Sequence, residues 1–345
     1  MTEATNRLLK AATGQGTGRP PIWIMRQAGR YLPQYQAIRR DHSFAEMCKR
    51  PDLATEISLQ PIREFGFDAV IVFYDILFIA EAMGAPLEYT DRGPVFHKSI
   101  RSRDDVRSLK TLGPGEGSAP LLETLRNLRA ELPAETALLG FAGAPFTMAS
   151  YLVEGDFKRS GDRVRRMIYS DPVALEELLQ HLTDATILYL QEQIEAGAQA
   201  VQLFVTWAGL LSRADYERFA QPFQRQIFEA VAKTGAPSIL YLNGSNHVLE
   251  LMATSGAKAL SVDWRVPLPE VRQRVGSEIV LQGNLDPSTL FGPADDVKTR
   301  CQAILESMAG DPSYIFNLGH GVLPETPVES VRAVVETVKA FDPSV

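Results

Sequence analysis

The sequence has few cysteines and no long apolar run. Only Cys48 and Cys301 occur among its 345 residues, too few for a disulfide framework or a cysteine-based metal site. This scarcity is typical of proteins in a reducing cytosol. No stretch approaches the roughly 18 apolar residues that span a membrane, and the polar N-terminus has no signal-peptide core. We therefore expect a cytoplasmic protein that does not enter a membrane.

The motifs of metal-dependent and nucleophilic enzymes are also missing. The sequence contains no His-x-Glu-x-x-His, no paired His and Cys set, no Asp-rich loop and no Gly-x-Ser-x-Gly. The glycines at 14–18 lack the following Gly-Lys-Ser/Thr of a phosphate-binding loop. No predicted strand ends in a lysine that would form a Schiff base. We expect neither a metal nor another cofactor.

Basic residues are outnumbered by acidic ones. The chain has 35 Lys and Arg against 42 Asp and Glu, a net charge of −7. Nucleic-acid-binding proteins usually carry a basic face, so we expect no nucleic-acid partner. A locally basic cleft on such a protein can still attract an anion.

Apolar runs of strand length alternate with helical patterns along most of the chain. The predicted strands are 22–25, 68–75, 137–141, 199–206, 237–242, 258–263, 278–282 and 314–318. The predicted helices include 51–65, 103–110, 120–131, 170–197, 268–275, 294–308 and 327–341, and another begins at Ser212 and is interrupted at Pro222. A small hairpin is predicted in 86–100, around Asp91-Arg92-Gly93.

This alternation indicates a parallel sheet. Eight repeats in 345 residues predict a single domain over 1–345, a (β/α)₈ TIM barrel with insertions. Residues 1–20 would form a flexible or helical lead-in. The alternative is a doubly wound open sheet, which we disfavour because no Gly-x-Gly-x-x-Gly follows an early strand.

The carboxyl ends of the predicted strands carry several polar residues. In a barrel of this kind the active site lies at those ends. Arg26 ends the first predicted strand, and Arg30 and Arg39 follow it. Guanidinium groups stay charged and suit a substrate with several carboxylates or phosphates. The alternative is that these arginines pair with acidic residues on the surface.

Asp75 ends a second apolar strand and has no charged partner nearby in sequence. A strand-end acid in a barrel predicts a functional residue. The alternative is that Asp75 caps the next helix or pairs with an arginine. His320 lies between two glycines, which let a ligand approach the backbone; the alternative is a loop histidine bonded to backbone. For the hydroxyls of Thr206 and Tyr151 two roles remain open. Each forms a hydrogen bond either with a ligand or with another group of the protein. These residues predict a cofactor-free enzyme that binds a polyanion and does proton chemistry with one aspartate.

Several of these stretches resemble a known family. The N-terminal signature of the uroporphyrinogen decarboxylase family is similar to Trp23-Ile24-Met25-Arg26-Gln27-Ala28-Gly29-Arg30-Tyr31-Leu32-Pro33, and its second signature resembles Gly140-Phe141-Ala142-Gly143-Ala144-Pro145-Phe146-Thr147. Further matches lie at 73–77, 207–209, 281–287 and 317–321, in family order.

This resemblance implies a (β/α)₈ barrel, a homodimer and a cofactor-free reaction. The four acetate side chains of uroporphyrinogen III would become methyl groups, giving coproporphyrinogen III and CO₂ in haem and chlorophyll biosynthesis. It also implies that Asp75 is catalytic and binds the pyrrole N–H groups. The other substrate-binding positions it implies are Arg26, Gln27, Ala28, Gly29, Arg30, Arg39, Tyr151, Thr206 and His320.

The sequence departs from the family pattern at a few positions. Tyr74 stands where many members have serine, and Val205 where an acidic residue is common. Asn243 begins a loop that often carries a basic residue. Two rival functions remain at this stage. A zinc methyltransferase of the same superfamily needs His and Cys near late strand ends, and a non-catalytic tetrapyrrole carrier would not need Asp75.

Overall fold

The computed structural model describes residues 6–90, 93–155 and 161–343. Its strands are β1 (Ala69–Ile71), β2 (Leu87–Thr90), β3 (Gly93–Phe96), β4 (Ala137–Gly143), β5 (Ala200–Val205), β6 (Ser238–Leu242), β7 (Ala259–Val262), β8 (Val280–Leu285) and β9 (Tyr314–Leu318). Its α-helices are α1 (Arg7–Ala12), α2 (Pro33–Asp41), α3 (Phe44–Lys49), α4 (Pro51–Phe65), α5 (Phe78–Ala82), α6 (Arg103–Arg107), α7 (Ala119–Glu131), α8 (Pro145–Glu154), α9 (Asp162–Ser170), α10 (Pro172–Glu195), α11 (Arg213–Phe219), α12 (Gln221–Ala232), α13 (Leu249–Ala253), α14 (Leu268–Val275), α15 (Ala294–Ser307) and α16 (Val328–Ala340).

Seven strands form one parallel sheet, in the order β1-β4-β5-β6-β7-β8-β9. Apart from β1 and β4, sheet neighbours are consecutive along the chain, and helices connect them, as the alternating pattern predicts. The predicted α/β class with a parallel sheet is therefore confirmed. In the described part of the chain, no helix has the length and apolar character needed to cross a membrane.

A separate core fills the inner face of the curled sheet. Small and apolar side chains from all seven strands meet there and contact Trp23 and Met25. Helix α1 adds Leu8, Ala11 and Ala12 to the same cluster, so the helical lead-in is confirmed over 7–12. Residues 1–5 lie outside the described chain. The sheet is covered on both sides, so both faces of its strands are buried. This explains why the strands are continuously apolar in sequence.

The segment Pro21–Met25 contacts both edge strands of the sheet. The Asp68 N–H donates to the Ile22 carbonyl at 2.9 Å, and the Phe316 N–H donates to the Pro21 carbonyl at 2.9 Å. Ile22 also forms an isolated parallel bridge with Phe316. This segment therefore occupies the gap between β1 and β9.

The prediction of a regular strand over 22–25 is wrong. Only Ile22 pairs as a strand residue does. The Ile24 N–H donates to Gln27 Oε1 at 3.3 Å, and the Met25 N–H donates to Asn317 Oδ1 at 3.0 Å. Because side chains accept these hydrogen bonds, the backbone ladder cannot continue past Ile22.

The predicted strand 68–75 is shorter in the structure. It ends at Ile71, because the Phe73 N–H donates to Ser58 Oγ on α4 at 2.8 Å instead of to the sheet. The hairpin of β2 and β3 forms as predicted, with Leu87 opposite Phe96. Asp91 and Arg92 of its predicted turn lie outside the described residues. The predicted interruption near Pro222 is also confirmed, because α11 ends and α12 begins there.

Four α-helices of the described chain were not expected, namely α2, α5, α8 and α9. Helix α2 illustrates the reason. Tyr35 is its only buried residue, and most of the others are polar. A helix with so little buried surface carries no apolar periodicity from which it can be predicted.

We expect that breaking the most buried ion pair of the lead-in strongly lowers the stability of the fold. Asp68 accepts two hydrogen bonds from the Arg19 guanidinium, at 2.8 and 2.9 Å, and one from the Ile22 N–H. We expect Asp68→Ala to lower the free energy of unfolding by about 3 kcal/mol, because it leaves a mostly buried guanidinium and an N–H unpaired. Urea denaturation measures this change. Asp104→Ala, which removes an exposed carboxylate paired at 3.7 Å, is the control and should have little effect; equal effects would contradict the prediction.

Candidate active site

The predicted site residues Arg26, Asp75 and His320 lie at the same end of the sheet. Arg26 follows the segment between β1 and β9, Asp75 follows β1, and His320 follows β9. The positive charge of Arg26 acts on both Asp75 and Tyr241, and the Tyr241 ring contacts the His320 ring edge to face at 6.2 Å. The structure therefore brings the three residues together at the carboxyl end of the sheet, which is where the barrel prediction places the active-site cleft.

Arg26 has an unusual backbone conformation. Its φ of 62° lies in the left-handed region, where side chains other than glycine are uncommon. Its side chain then lies against Gly321: a Cβ atom at Gly321 would come within 2.4 Å of Arg26 Cδ. The absence of a side chain at Gly321 therefore provides the space that the Arg26 side chain fills.

Arg26, Arg30 and Arg39 are exposed and have no acidic partners. None of the three forms an ion pair with any residue that the structure describes. Arg39 instead contacts the Tyr35 hydroxyl from the same helix. The alternative of surface ion pairs is thus not observed in 6–90, 93–155 and 161–343, and all three guanidinium groups remain available to an external anion.

In the loop from Gln27 to Arg30, the main-chain N–H groups are the groups that can bind an anion. The Gln27 side chain is used inside the protein. Gln27 is fully buried, and its Nε2 donates to the Ala69 carbonyl at 3.0 Å. Its side chain therefore fixes the loop to β1 and does not face the cleft. Within the described chain, the N–H groups of Ala28, Gly29 and Arg30 donate no hydrogen bond. Free N–H groups in succession can bind a carboxylate by donating hydrogen bonds to its oxygens.

Asp75 is half-buried at the base of the cleft. Its Oδ1 accepts a hydrogen bond from the Leu77 N–H at 2.8 Å. Burial raises the pKa of Asp75 above its ordinary value, while the Leu77 N–H, the Tyr89 hydroxyl and the charge of Arg26 oppose that rise. Asp75 forms no ion pair with a described residue. The carboxylate therefore needs further donors or a positive charge if it is to remain ionised.

Tyr151 and Thr206 lie on neighbouring elements. Tyr151 is a half-buried residue of α8, and its ring contacts Trp207 edge to face at 5.7 Å. The N–H of Thr206 donates to Thr147 Oγ1 at 3.0 Å, and its side chain is exposed. Helix α8 and the carboxyl end of β5 thus support each other beside the cleft.

His320 is half-buried in the loop after β9. The Gly321 N–H donates to its Nδ1 at 2.7 Å. Because Nδ1 accepts this hydrogen bond, the neutral imidazole carries its proton on Nε2. Nε2 is therefore the nitrogen that can donate a hydrogen bond.

Arg265 is a cation near the site that the sequence did not predict. It pairs with the buried Asp263 at 3.0 Å, donates to Asn243 Oδ1 at 3.1 Å and stacks on Trp264 at 4.5 Å. Asp263 also accepts the Gly244 N–H at 2.5 Å. A positive charge therefore accompanies the Asn243 loop, where the sequence itself has no basic residue. Only the strand order, which makes β6 and β7 neighbours, brings Arg265 to that loop.

The two cysteines are not part of the site. Cys48 lies in α3 and Cys301 in α15, and both are buried. In the described residues no group of three or more His, Cys, Asp or Glu side chains is placed to hold a metal ion. A cavity of about 440 Å³ beside Lys49, Glu81, Lys110 and Glu116 is lined by none of the predicted site residues.

Comparison with known proteins shows the family of the chain. The model of the family described as uroporphyrinogen decarboxylase (URO-D) matches residues 3–341. The chain belongs to the uroporphyrinogen decarboxylase family. It is 44% identical over 330 residues to the uroporphyrinogen decarboxylase of Syntrophotalea carbinolica, with 96% of each chain covered. It is also 43% identical over 331 residues to that of Carboxydothermus hydrogenoformans, with 96% of this chain and 95% of the relative covered.

Solved structures show similar folds in other enzymes. A methyltransferase from Methanosarcina mazei superposes with a TM-score of 0.82 over 97% of this chain and 98% of its own, at 23% identity. A B12-independent methionine synthase from Shewanella sp. W3-18-1 gives a TM-score of 0.57 at 13% identity, over 96% and 98% of the two chains. At these identities the likeness concerns the fold alone.

The contact between Gly321 and Arg26 predicts a defect in substrate binding. We expect Gly321→Ala to displace the Arg26 side chain and to raise the KM for uroporphyrinogen about tenfold, with a smaller change in kcat. Steady-state kinetics under anaerobic conditions measure both constants. Gly113→Ala is the matched control, because a Cβ atom there comes no closer than 3.8 Å to Glu116. If the two variants give the same KM, the proposed contact has no functional importance.

Proposed function

We propose that the chain decarboxylates the four acetate side chains of uroporphyrinogen III to methyl groups, giving coproporphyrinogen III in tetrapyrrole biosynthesis. One observation carries the proposal: Arg26, which has no acidic partner among the described residues, lies near the half-buried carboxylate of Asp75 at one end of the sheet. Arg30 and Arg39, which follow Arg26 along the chain, are likewise exposed and have no acidic partner in the described chain. The substrate offers the complementary groups, with eight carboxylates around its rim and pyrrole N–H groups at its centre.

The arginines would bind the carboxylates of the substrate. Arg26, Arg30 and Arg39 each present a forked donor, which matches a carboxylate in two hydrogen bonds. The free N–H groups of Ala28 and Gly29 add neutral donors to the same site. Tyr151, Thr206 and His320 complete the proposed substrate-binding set, with the His320 Nε2–H as a donor.

Asp75 would accept hydrogen bonds from the pyrrole N–H groups. Loss of CO₂ from an acetate breaks a C–C bond, and its electron pair needs an acceptor. Protonation of the adjacent pyrrole provides one, because the cationic ring takes up the pair. A fixed carboxylate beside this ring stabilises the positive charge as it develops. A proton delivered to the methylene carbon completes the methyl group, and the ring then releases the proton that it had gained, so each CO₂ released consumes one proton overall.

Three further features belong to this proposal. Closure of the sheet into an eight-stranded barrel is supported by the hydrogen bonds of Pro21 and Ile22 to both edge strands. The family resemblance supports a homodimer, which sedimentation velocity would test. The two free cysteines agree with a cytoplasmic location.

The decisive experiment incubates the protein anaerobically with uroporphyrinogen III and separates the products by number of carboxylates. Decarboxylation gives species with seven to four carboxylates and CO₂. Unchanged octacarboxylate that nevertheless binds would support the tetrapyrrole carrier. Stoichiometric bound zinc, with transfer of a methyl group to a thiol, would support the methyltransferase.

The role of Asp75 predicts a large loss of activity in Asp75→Asn. The amide keeps the shape and the hydrogen bond from Leu77 but cannot stabilise a cationic pyrrole, so we expect kcat to fall by roughly 10²- to 10³-fold. The product assay measures turnover, and circular dichroism checks the fold. Asp286→Asn is the matched control, because Asp286 also follows a strand but only caps the Ser288 N–H at 2.8 Å. Near-wild-type turnover in Asp75→Asn would exclude the proposed role.

The role of Arg26 predicts weaker binding in Arg26→Ala. Loss of one charge-assisted contact should raise KM at least about tenfold, and the salt dependence of KM should decrease. Kinetics at several ionic strengths measure both effects. Arg40→Ala, which removes another exposed arginine next to Arg39, is the control and should leave KM near the wild-type value. Unchanged KM and kcat in Arg26→Ala would place Arg26 outside the site.

A further inference from the structure

Tyr89 reaches the site from outside the sheet. It lies on β2 of the hairpin, opposite Pro94. Its ring packs between Phe44 of α3 and Phe78 of α5, with ring centroids 5.1 and 5.5 Å away. These contacts fix the ring, so the position of its hydroxyl is set by packing rather than by solvent.

The hairpin itself is held against α8. The Phe96 N–H donates to the Gly155 carbonyl at 2.7 Å, and the Ile100 N–H donates to the Leu152 carbonyl at 3.0 Å. Gly155 has a φ of 82°, and a Cβ atom there would meet Ser99 Oγ. The hairpin and α8, which carries Tyr151, therefore form one rigid wall of the cleft.

The Tyr89 hydroxyl lies next to the Asp75 carboxylate. It is buried, and in the described chain it forms no hydrogen bond of standard geometry with any group, Asp75 included. A buried hydroxyl without a partner costs free energy, so we expect such a group to donate a hydrogen bond to a neighbouring acceptor. The carboxylate of Asp75 is that neighbour, because Leu77 engages only its Oδ1.

We propose that Tyr89 is a positioning residue, which donates a hydrogen bond from its hydroxyl to Asp75 and keeps that carboxylate ionised and oriented toward the pyrrole N–H groups. The inference rests on the proposed decarboxylation. Its physical basis is that burial favours the neutral acid, whereas a hydrogen bond donated to the carboxylate favours the charged form.

Five titratable side chains face Asp75 from the surrounding elements. They are Arg26, Cys48 of α3, Tyr74, Tyr89 and Tyr189 of α10. Burial raises the pKa of Cys48 and of the three tyrosines, so these four are neutral at ordinary pH. Arg26 is always charged. A titration near Asp75 in the acidic range therefore reports on Asp75 itself.

The first test does not depend on turnover. The carboxyl carbons of aspartate are labelled with ¹³C in the full chain, and the Asp75 resonance is assigned by its loss in Asp75→Asn. We expect its titration midpoint to lie at higher pH in Tyr89→Phe than in the wild type, because the variant loses a donor that stabilises the anion. Phenylalanine keeps the ring contacts with Phe44 and Phe78. Equal midpoints would overturn the proposal.

The second test uses the pH dependence of kcat/KM. On the acidic limb we expect Tyr89→Phe to be about tenfold slower than the wild type, with the two rates converging as pH rises and Asp75 ionises in both. A purely structural role would lower the rate by the same factor at every pH, and that result would overturn the proposal. The ionisable groups of the substrate are common to both enzymes and cancel in the comparison.

Tyr74→Phe is the matched control for both tests. Tyr74 is also buried near Asp75 and packs on Phe78 at 5.1 Å, but its hydroxyl makes no hydrogen bond to Asp75. Its titration midpoint and pH profile should equal those of the wild type. If no protein, wild type included, decarboxylates the substrate, the proposed function fails, while the ¹³C titration still decides the role of Tyr89.

Discussion

The position of the site depends on how the segment before Arg26 is tied between the edge strands of the sheet. Asp68 and Asn317 accept N–H groups of this segment, and Gln27 bonds both to it and to β1. These side chains take over from backbone pairing, which turns the chain and places Arg26 at a φ of 62°. Only with Arg26 held there can its side chain lie over Gly321 and act on Asp75. The loop that carries the cations is therefore positioned by buried polar side chains, not by a regular strand.

A half-buried carboxylate without a positively charged ion-pair partner in the described chain is costly to keep in a fold. Burial of Asp75 favours its neutral form, and few donors oppose this within the protein. The compensation lies in the surrounding packing, because α3, α5 and α10 enclose Asp75 with a large apolar core. Stability supplied by that core permits a site whose charges are incomplete without a ligand, as is common where function sets the residue.

Much of the fold and part of the site could be predicted from the sequence, and the exceptions share a cause. Strands such as β9 and helices such as α14 were predicted to the residue, because apolar patterns specify buried elements directly. Helix α2 was missed because it buries only Tyr35. Arg26, Asp75 and His320 were predicted because parallel strands bring their carboxyl ends together. Tyr89 and Arg265 could not be predicted, because each reaches the site through a contact between elements that are distant along the chain.

The acidic net charge of the protein does not oppose the binding of a polyanion. Exposed charges farther away than about 8 Å are largely screened at physiological salt, so the local balance decides. Asp263 near the cleft is neutralised by Arg265, whereas Arg26, Arg30 and Arg39 have no described anionic partner. In the proposed function, the substrate would bring carboxylates to these arginines and pyrrole N–H groups to Asp75. Each of the two parts of the proposed site would then be satisfied by a different part of one molecule, and this would require the substrate to bind with its centre over Asp75.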